Sequence, residues 1–252
     1  MNFSRVWYLL YLLTKKQMKF ELLCIDMFQT LVDINTRIPF IWRRILGDKY
    51  NENLAFECAK SVSRNVVNRF HESASSNREF VNLKTMFKPF FETVFREMNI
   101  QFDAEEAVKI FMDEHTKAPP YDDVESFFSL IDNKLPICLI TDADYEMVLP
   151  LLERYKYKFD EIFISEKIMS YKNESNSRIF NEVLEHYLIE PNKVLHIGDS
   201  SSDIIGANRV GIKTCWINRE NTEWRYQPNP DYVITSLNEI GNIIGVNKSA
   251  LV

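Results

Sequence analysis

The sequence is poor in glycine, has no basic excess and contains no apolar run long enough to cross a membrane. Only 6 of the 252 residues are glycine, so we expect each one where the backbone requires it. The net charge of −6 argues against a nucleic-acid groove, which usually needs a basic surface. The apolar stretch over residues 6–13 is far shorter than the roughly 20 residues of a membrane span. We therefore predict neither a nucleic-acid partner nor a membrane partner.

Cysteine is scarce as well, and its spacing excludes a cysteine-based metal site. The chain has 4 cysteines, and none are spaced as metal ligands. Three of them fall inside apolar runs of strand character, which is typical of buried, reduced thiols. The cysteines are Cys24, Cys58, Cys138 and Cys215. This usage predicts a reducing compartment and a cytoplasmic protein.

Residues 1–17 are predicted to be an N-terminal extension. Lys15 and Lys16 follow the apolar stretch 6–13, and no small-residue cleavage site of a signal peptide comes after it. Met18 begins a second stretch that leads directly into an apolar run. We interpret residues 1–17 as an extension from an upstream start or as a surface helix, and a weak membrane anchor is the remaining alternative.

The hydrophobic pattern changes twice along the rest of the chain. Residues 36–118 carry apolar side chains at three- and four-residue steps and contain no convincing strand. From residue 119 onward, strand-like runs such as Ile137–Ile140 and Val194–Ile197 alternate with helical segments. The predicted fold class is α/β: a doubly wound, Rossmann-like parallel sheet core over 18–35 and 119–252, with an all-helical cap domain over 36–118.

Asp26 is the most informative residue, because it ends the apolar run Leu22–Ile25. A strand that ends on a carboxylate delivers it to the crevice at the carboxyl edge of a parallel sheet. A carboxylate closing a buried strand is costly without a partner, so Asp26 is difficult to explain as a structural residue. We therefore predict that Asp26 carries chemistry.

Further polar groups lie near the ends of predicted strands and are expected at the same edge of the sheet as Asp26. They are Thr30, the pair Thr141-Asp142, Lys172, and the segment Gly198–Asp203. If the sheet is parallel, these side chains meet around Asp26.

Each of these groups has a structural explanation when taken alone. Asp199 or Ser200 can cap the following helix, and Lys172 can be a solvated surface residue. The placement of all the groups at one edge favours the functional interpretation. Two other polar residues are given structural roles: Asp33 as a cap or ion-pair partner, and His196 as a satisfied core residue.

In order, spacing and placement, these motifs resemble those of the haloacid dehalogenase-like hydrolase superfamily. The resemblance runs from about Glu21 to the end of the chain, with residues 36–117 as the helical cap. The stretches Ile164–Phe180 and Val194–Asn218 are particularly similar to this family.

The resemblance implies a hydrolase with an aspartate nucleophile and a small-molecule substrate. Asp26 would attack an electrophilic phosphorus or carbon and form a covalent aspartyl ester. Thr30 and Thr141 would hydrogen-bond the nucleophile and the substrate oxygens. Lys172 would offset the charge that builds up where carboxylate meets phosphate.

The resemblance also implies a Mg²⁺ cofactor. Asp26, Asp199 and the backbone carbonyl of Phe28 would bind the ion, since oxygen ligands suit it. Asp203 would support the site from behind by orienting Lys172 or a metal-bound water, and Ser200 is assigned to the same supporting layer.

Phe28 is the main departure from the family pattern. Phosphatases of the family carry a second aspartate at this position, which protonates the leaving group, whereas dehalogenating members carry an aromatic residue. Phe28 and Asp142 are expected to contact substrate. Gln29 stands in place of a usual Gly, and Asn173 in place of a usual Pro, which is expected to loosen the loop of Lys172.

Three functional hypotheses follow from these features. The favoured one is Mg²⁺-dependent hydrolysis of a small phosphorylated metabolite through an aspartyl phosphate, supported by Asp199. The second is a metal-independent 2-haloacid dehalogenase, supported by Phe28. The third is a catalytically weak member that binds a ligand through its cap. A dehalogenase would use a cap arginine to receive the halide, and the candidates are Arg37, Arg43, Arg44, Arg64 and Arg69.

Overall fold

The computed structural model describes residues 19–73, 79–132, 134–156 and 158–246 of the chain. The predicted extension over residues 1–17 lies outside these described residues. Within them the chain reaches its first strand at Leu22.

The described strands form one parallel sheet. They are β1 (Leu22–Ile25), β2 (Ile137–Thr141), β3 (Glu161–Ile164), β4 (Val194–Gly198), β5 (Lys213–Ile217) and β6 (Tyr232–Ile234). Their order is β3-β2-β1-β4-β5-β6, and every neighbouring pair is parallel. The chain first extends the sheet from β1 to β3 and then returns to the other side of β1. The strand order therefore reverses between β1 and β4, which confirms the predicted doubly wound fold and creates a crevice there.

The central strand is buried on both faces. Leu23 and Ile25 of β1 belong to one hydrophobic cluster, whereas Leu22 and Cys24 belong to another. This division follows the alternation of side chains along a strand. It also explains the unbroken apolar run before Asp26, because a parallel sheet covered by helices on both sides offers no solvated face.

A block of helices lies between β1 and β2. Its α-helices are α1 (Ile38–Leu46), α2 (Glu52–Ser73), α3 (Leu83–Glu97) and α4 (Ala104–His115). They pack through aromatic side chains: the Phe91 ring centroid lies 6.0 Å from that of Trp42 and 5.7 Å from that of Phe111. The helices occupy the segment that has helical periodicity, while the division into two domains at residues 36 and 118 stays a prediction.

The other helices come after the helical block. They are α5 (Val124–Ile131), α6 (Tyr145–Tyr155), α7 (Ser165–Ile168), α8 (Arg178–Tyr187), α9 (Ser201–Arg209) and α10 (Ile240–Ile244). Helices α6, α8 and α9 come after β2, β3 and β4 and produce the expected alternation. None of the helices within the described ranges is both long enough and apolar enough to span a membrane.

Asp144 attaches the helical block to the sheet. It lies between β2 and α6, is 2% exposed, and accepts hydrogen bonds from the backbone N–H groups of Leu83 and Lys84, both at 2.8 Å. These N–H groups begin α3 and have no acceptor within their own helix. A carboxylate at the start of a helix is also favoured by the helix dipole.

Asn173 makes a second attachment. Its side chain is buried and donates to the Phe70 carbonyl of α2 at 3.3 Å, while its own carbonyl accepts from Arg209 at 2.8 Å. The side-chain amide of Asn173 thus ties the loop of Lys172 to α2, and its backbone carbonyl ties the loop to α9. The expectation that Asn173 loosens this loop stays a prediction.

All four cysteines are buried and free, as their positions predicted. Cys24 and Cys138 are paired in register on β1 and β2, with their Sγ atoms 3.2 Å apart. Burial raises the pKa of Cys138 well above its ordinary value, so the thiol is protonated and unreactive.

Replacing Asp144 by Ala removes the acceptor of two helix-terminal N–H groups. We expect Asp144→Ala to lower the free energy of unfolding by about 1–2 kcal/mol, the usual cost of a lost helix cap. The measurement is urea unfolding followed by circular dichroism. Glu146→Ala is the matched control, because its ion pair with Lys84 is exposed and is expected to contribute less than about 0.5 kcal/mol. Equal losses for the two variants would contradict this role of Asp144.

Candidate active site

Asp26 lies at the carboxyl edge of the sheet, at the point where the strand order reverses. Its backbone N–H donates to the carbonyl of Ile197 in β4 at 2.9 Å, which fixes the residue between β1 and β4. The residue is 4% exposed. Burial raises the pKa of Asp26 above its ordinary value, and the positive charge of Lys172 opposes this shift.

Lys172 holds two buried carboxylates together. Its Nζ lies 2.8 Å from Oδ1 of Asp26 and 2.5 Å from Oδ1 of Asp203, and its side chain is 3% exposed. Burial alone would lower the pKa of Lys172, but attraction by Asp203 and Asp26 raises it above the ordinary value. The lysine is therefore charged, and it is not a solvated surface residue.

Asp203 is saturated with hydrogen bonds. Its Oδ1 contacts Lys172 and also Nε2 of His196 at 2.8 Å, while Oδ2 accepts from the hydroxyl of Ser200 at 2.6 Å and from its N–H at 3.1 Å. Burial would raise the pKa of Asp203, but Lys172 and His196 hold it well below its usual range. Asp203 is a fixed anion that positions Lys172.

His196 is a core residue, as expected, but its hydrogen bonding is only partly satisfied. Its Nε2 contacts Asp203, and its Nδ1 has no hydrogen-bond partner within the described ranges. The ring is fully buried on β4, two residues before Gly198. His196 therefore belongs to the polar cluster that supports Lys172.

Ser200, rather than Asp199, caps α9. Its hydroxyl accepts from the N–H of Asp203, and the Asp203 carboxylate accepts from the N–H of Ser200, which together make a capping box. The cap leaves the carboxylate of Asp199 free of this task.

Asp26, Asp199 and Asp203 form an acidic cluster. Each offers a carboxylate oxygen, and these oxygens lie within 4.8 Å of one another. Burial, followed by repulsion from Asp26 and Asp203, raises the pKa of Asp199 well above its ordinary value. The carbonyl of Asp199 is held by the indole N–H of Trp216 at 2.8 Å. Like charges in this arrangement, all on oxygen, fit a divalent cation such as Mg²⁺. Because Lys172, His196 and Ser200 occupy both oxygens of Asp203, the carboxylates open to such an ion are those of Asp26 and Asp199.

Thr30 follows Asp26 by four residues, in the loop after β1. Thr141 ends β2, whose register places it just beyond the Ile25–Leu139 pair. Both threonines are fully buried, and within the described ranges neither hydroxyl has a hydrogen-bond partner. Unpaired buried hydroxyls are costly, which is consistent with a polar ligand that would pair them.

Asp142 follows Thr141 and accepts from the backbone N–H of Lys172 at 2.9 Å. Burial raises the pKa of Asp142 to about 7, against the opposing charge of Lys172. Asp142 therefore holds the Lys172 loop and also lines the cavity described below.

Gln29 adopts the backbone conformation for which the family uses glycine. Its φ is +61°, in the left-handed region. Its side-chain oxygen accepts from the N–H of Ile34 at 2.8 Å. The side chain thus stabilises the turn into the 3₁₀ turn Ile34–Arg37, which Asp33 caps through the N–H of Asn35. The loop after Asp26 is built without glycine, and Asp33 has the predicted capping role.

Gly206 allows α9 to approach the Lys172 loop. A Cβ atom at this position would lie 2.0 Å from the backbone oxygen of Lys172. Only glycine permits this contact, as expected for a chain with so few of them.

Arg219 is a site-supporting residue that the sequence did not reveal. It donates to the carbonyl of Thr30 at 2.7 Å and to both carboxylate oxygens of Asp123 at 3.0 Å. Its guanidinium also stacks on the ring of Tyr121, 3.8 Å from the ring centroid. The contact with Thr30 joins residues that are 189 positions apart, so no local pattern signalled it.

A cavity of about 600 Å³ opens above the acidic cluster. Asp142, Asp199 and Phe28 line its base, and its walls come largely from the helical block. Most of the wall side chains are apolar, and they include Ile38, Trp42, Phe56, Phe87 and Phe111. A cavity of this size and character suits a small ligand with an apolar or aromatic part.

His115 of α4 lies in this wall beside Phe28. The ring centroids of the two residues are 5.9 Å apart, and His115 is 4% exposed. Its Nδ1 lies 2.7 Å from the carbonyl of Phe111. Burial lowers the pKa of His115 to about 4, so the imidazole is neutral near pH 7.

No arginine of the described residues lines the cavity. Arg37 pairs with Glu114 at 2.5 Å, and Arg44 with Asp113 at 2.9 Å. Arg43 stacks over the ring of Tyr50. The other two candidates, Arg64 and Arg69, are also absent from the lining.

Comparison with known proteins identifies the family. A family model for haloacid dehalogenase-like hydrolases matches residues 51–217. The chain belongs to the haloacid dehalogenase-like hydrolase family, which confirms the prediction made from the motifs.

The similarity to individual curated proteins is modest and covers only part of each chain. The chain is 30% identical to the pyrimidine 5′-nucleotidase YjjG of Escherichia coli over 123 residues, which is 47% of this chain and 54% of that protein. It is 24% identical to the (S)-2-haloacid dehalogenase 2 of a Pseudomonas species over 136 residues, 52% of this chain and 58% of that one. These matches span about half the length of the curated relatives.

A solved structure supports the fold over most of the chain. The magnesium-bound HAD-hydrolase YfnB from Bacillus subtilis superposes with a TM-score of 0.77 at 18% identity, over 90% of this chain and all of that one. At this identity the likeness establishes the fold alone.

The raised pKa of Asp142 is expected to make the folded protein less stable as the pH rises. In the folded protein its carboxyl keeps its proton up to about pH 7, whereas the ordinary pKa is 3.8. The folded state thus binds more protons between these values, and its stability falls as the pH rises. In EDTA we compare the free energy of unfolding of Asp142→Asn with that of the wild type. We expect this difference to be about 2 kcal/mol more favourable to the variant at pH 8 than at pH 5. Urea unfolding across this range measures the gain, and a difference that does not change with pH would contradict it.

Proposed function

We propose that this protein is a Mg²⁺-dependent phosphatase that hydrolyses a small phosphorylated metabolite through an aspartyl phosphate on Asp26. The observation that carries the proposal is the charged Lys172, held between Asp26 and Asp203 and next to Asp199. This arrangement offers a nucleophile, a fixed positive charge for the phosphoryl group and an acidic oxygen cluster for a divalent ion.

In the first step Asp26 acts as the nucleophile. Lys172 contacts Oδ1, which leaves Oδ2 as the oxygen that attacks phosphorus while the bond to the leaving oxygen breaks. The free hydroxyls of Thr30 and Thr141 are suited to donate to the phosphoryl oxygens. Lys172 stays protonated because both its carboxylate partners hold the proton on it, so it acts as a charge and not as an acid.

The leaving oxygen receives no proton from residue 28, because that residue is Phe28. The site therefore favours leaving groups that are stable as anions, such as acyl or aryl phosphates, or substrates that supply their own proton. In the second step water attacks the aspartyl phosphate, which releases phosphate and restores Asp26.

The residues fit a Mg²⁺ ion bound by Asp26, Asp199 and the Phe28 carbonyl. When bound, it supplies charge that draws the phosphoryl oxygens and Asp26 together. The raised pKa of Asp199 supports this assignment, since an unneutralised acidic pair resists ionisation.

The cavity supports a substrate with an apolar or aromatic part. Its wall carries Trp42, Phe56, Phe87 and Phe111, which can pack on a planar group. Two of the curated relatives are named as pyrimidine 5′-nucleotidases, and a nucleotide combines a phosphate with a planar base. Nucleoside monophosphates therefore belong in the substrate screen, together with aryl and acyl phosphates.

Removing the carboxylate of Asp199 is expected to abolish Mg²⁺ binding. Calorimetry should show saturable binding of Mg²⁺ to the wild-type protein and none to Asp199→Asn at millimolar ion, because two open carboxylates are reduced to one. The same substitution, or a chelator, should stop phosphate release, and Asp26→Asn should reduce it by about 10³-fold or more.

The control for this experiment is Asp122→Asn, an exposed aspartate away from the cluster. It should bind Mg²⁺ as the wild type does. Phosphate release that persists in a chelator, or Mg²⁺ binding that survives Asp199→Asn, would overturn the proposal.

Dehalogenation of 2-haloacids is the second candidate, because Phe28 provides the aromatic residue and a halide leaves without a proton. Against it stands the absence of an arginine among the described residues that line the cavity. We therefore expect no halide release from 2-chloropropionate in a chelator, measured with a chloride electrode. Steady release that Asp26→Asn abolishes would establish the dehalogenase instead.

A further inference from the structure

His115 presents a hydrogen-bond acceptor to the cavity. Its Nδ1 lies 2.7 Å from the backbone carbonyl of Phe111. A carbonyl oxygen only accepts, so Nδ1 carries the hydrogen. In a neutral imidazole the other nitrogen, Nε2, then has a free lone pair.

Nδ1 of His115 is engaged, so Nε2 is the ring nitrogen available to a ligand in the cavity. The Nδ1 edge of the ring faces its own helix α4, and Nε2 is at the far end of the side chain. Among the described residues no group hydrogen-bonds Nε2, although the residue is 4% exposed. The neighbouring rings of Phe28 and Phe111, with centroids at 5.9 and 4.0 Å, offer no donor.

Nε2 is therefore an acceptor beside two apolar rings, in a cavity whose lining is mostly apolar but also includes Gln29, Asn35, Lys60, Ser63 and Glu220. A ligand that covers it without a donor leaves it buried and unpaired, which is unfavourable, whereas a ligand with an N–H or O–H group satisfies it. A lone pair repels the anionic phosphoryl group, which the charges of Lys172 attract to the base of the cavity. Nε2 thus faces the organic part of the substrate.

We infer that His115 is a specificity-determining residue, and that its Nε2 accepts a hydrogen bond from an N–H or O–H group on the leaving-group side of the substrate. The inference rests on the proposed phosphatase function. It narrows the substrate to a phosphate ester whose organic part is mostly apolar or aromatic and carries one hydrogen-bond donor.

The first test compares substrates that differ by one donor. The probes are 4-hydroxyphenyl phosphate and 4-methoxyphenyl phosphate, and uridine 5′-monophosphate and its N3-methyl derivative. For at least one pair we expect the wild type to favour the donor-bearing member about 10- to 100-fold in kcat/KM. In His115→Phe this preference should fall to near one, and in His115→Gln it should be partly restored by the amide oxygen.

The matched control is His186→Phe, which changes a half-exposed histidine of α8 and should leave the preference intact. If His115→Phe lowers both members of each pair equally, the residue has only a structural role. A preference that survives His115→Phe also overturns the inference.

A second test separates this inference from the proposed function, because it needs no turnover. The two aryl phosphates are added to ¹⁵N-histidine-labelled Asp26→Asn protein, and the His115 resonances are assigned by their loss in the additional His115→Phe variant. We expect the ¹⁵N chemical shifts to show a protonated Nδ1 and an unprotonated Nε2. The Nε2 shift should change when 4-hydroxyphenyl phosphate is added and not when 4-methoxyphenyl phosphate is added. If the wild type hydrolyses no phosphate ester but this shift occurs, the phosphatase proposal fails and the acceptor stands. A protonated Nε2, or equal responses to both ligands, overturns the inference.

Discussion

The buried charge of Lys172 is the interaction on which the site depends. A lysine with 3% of its side chain exposed is tolerable only because Asp26 and Asp203 compensate the loss of hydration, at 2.8 and 2.5 Å. The three groups come from the end of β1, the start of α9 and the loop after α7, so the ion pairs form only when these elements pack correctly. The supporting contacts serve this alignment. Asp142 holds the backbone of Lys172, Gly206 lets α9 approach it, and His196 and Ser200 occupy the remaining sites on Asp203.

The site changes character over a short distance. At its base, burial and the repulsion between neighbouring carboxylates raise the pKa of Asp199. The base therefore favours a cation, and with it a phosphoryl group. Beyond it, Phe28 begins a wall of mostly aromatic and aliphatic side chains, in which His115 is one of a few polar residues. A substrate that fits the proposed site is therefore charged at one end and apolar at the other. Phe28 lies at the boundary between the two parts, because it lines the cavity together with Asp142 and Asp199 as well as with the apolar wall.

Local patterns predicted what depends on neighbours in sequence. The strand before Asp26, the helical block and the strand-end placement of Thr141 all follow from periodicity or spacing. Local patterns failed where a contact joins distant segments. The bond between His196 and Asp203 joins β4 to α9, and the bond between Asn173 and Phe70 joins the Lys172 loop to α2, so neither contact was predicted. Arg219 gave no signal, since its role depends on the carbonyl of Thr30.

The sequence alone determined the family and the doubly wound sheet, and it led to Asp26 as the proposed nucleophile, because hydrophobic periodicity and the order of motifs are properties of the chain. The tertiary structure decided which charges compensate one another, that the candidate arginines lie away from the cavity, and that the tautomer of His115 is fixed by Phe111. The physical reason is that burial and hydrogen bonding depend on distances between groups far apart in the sequence. Those distances are set by the packing of helices on the sheet, which no local pattern encodes.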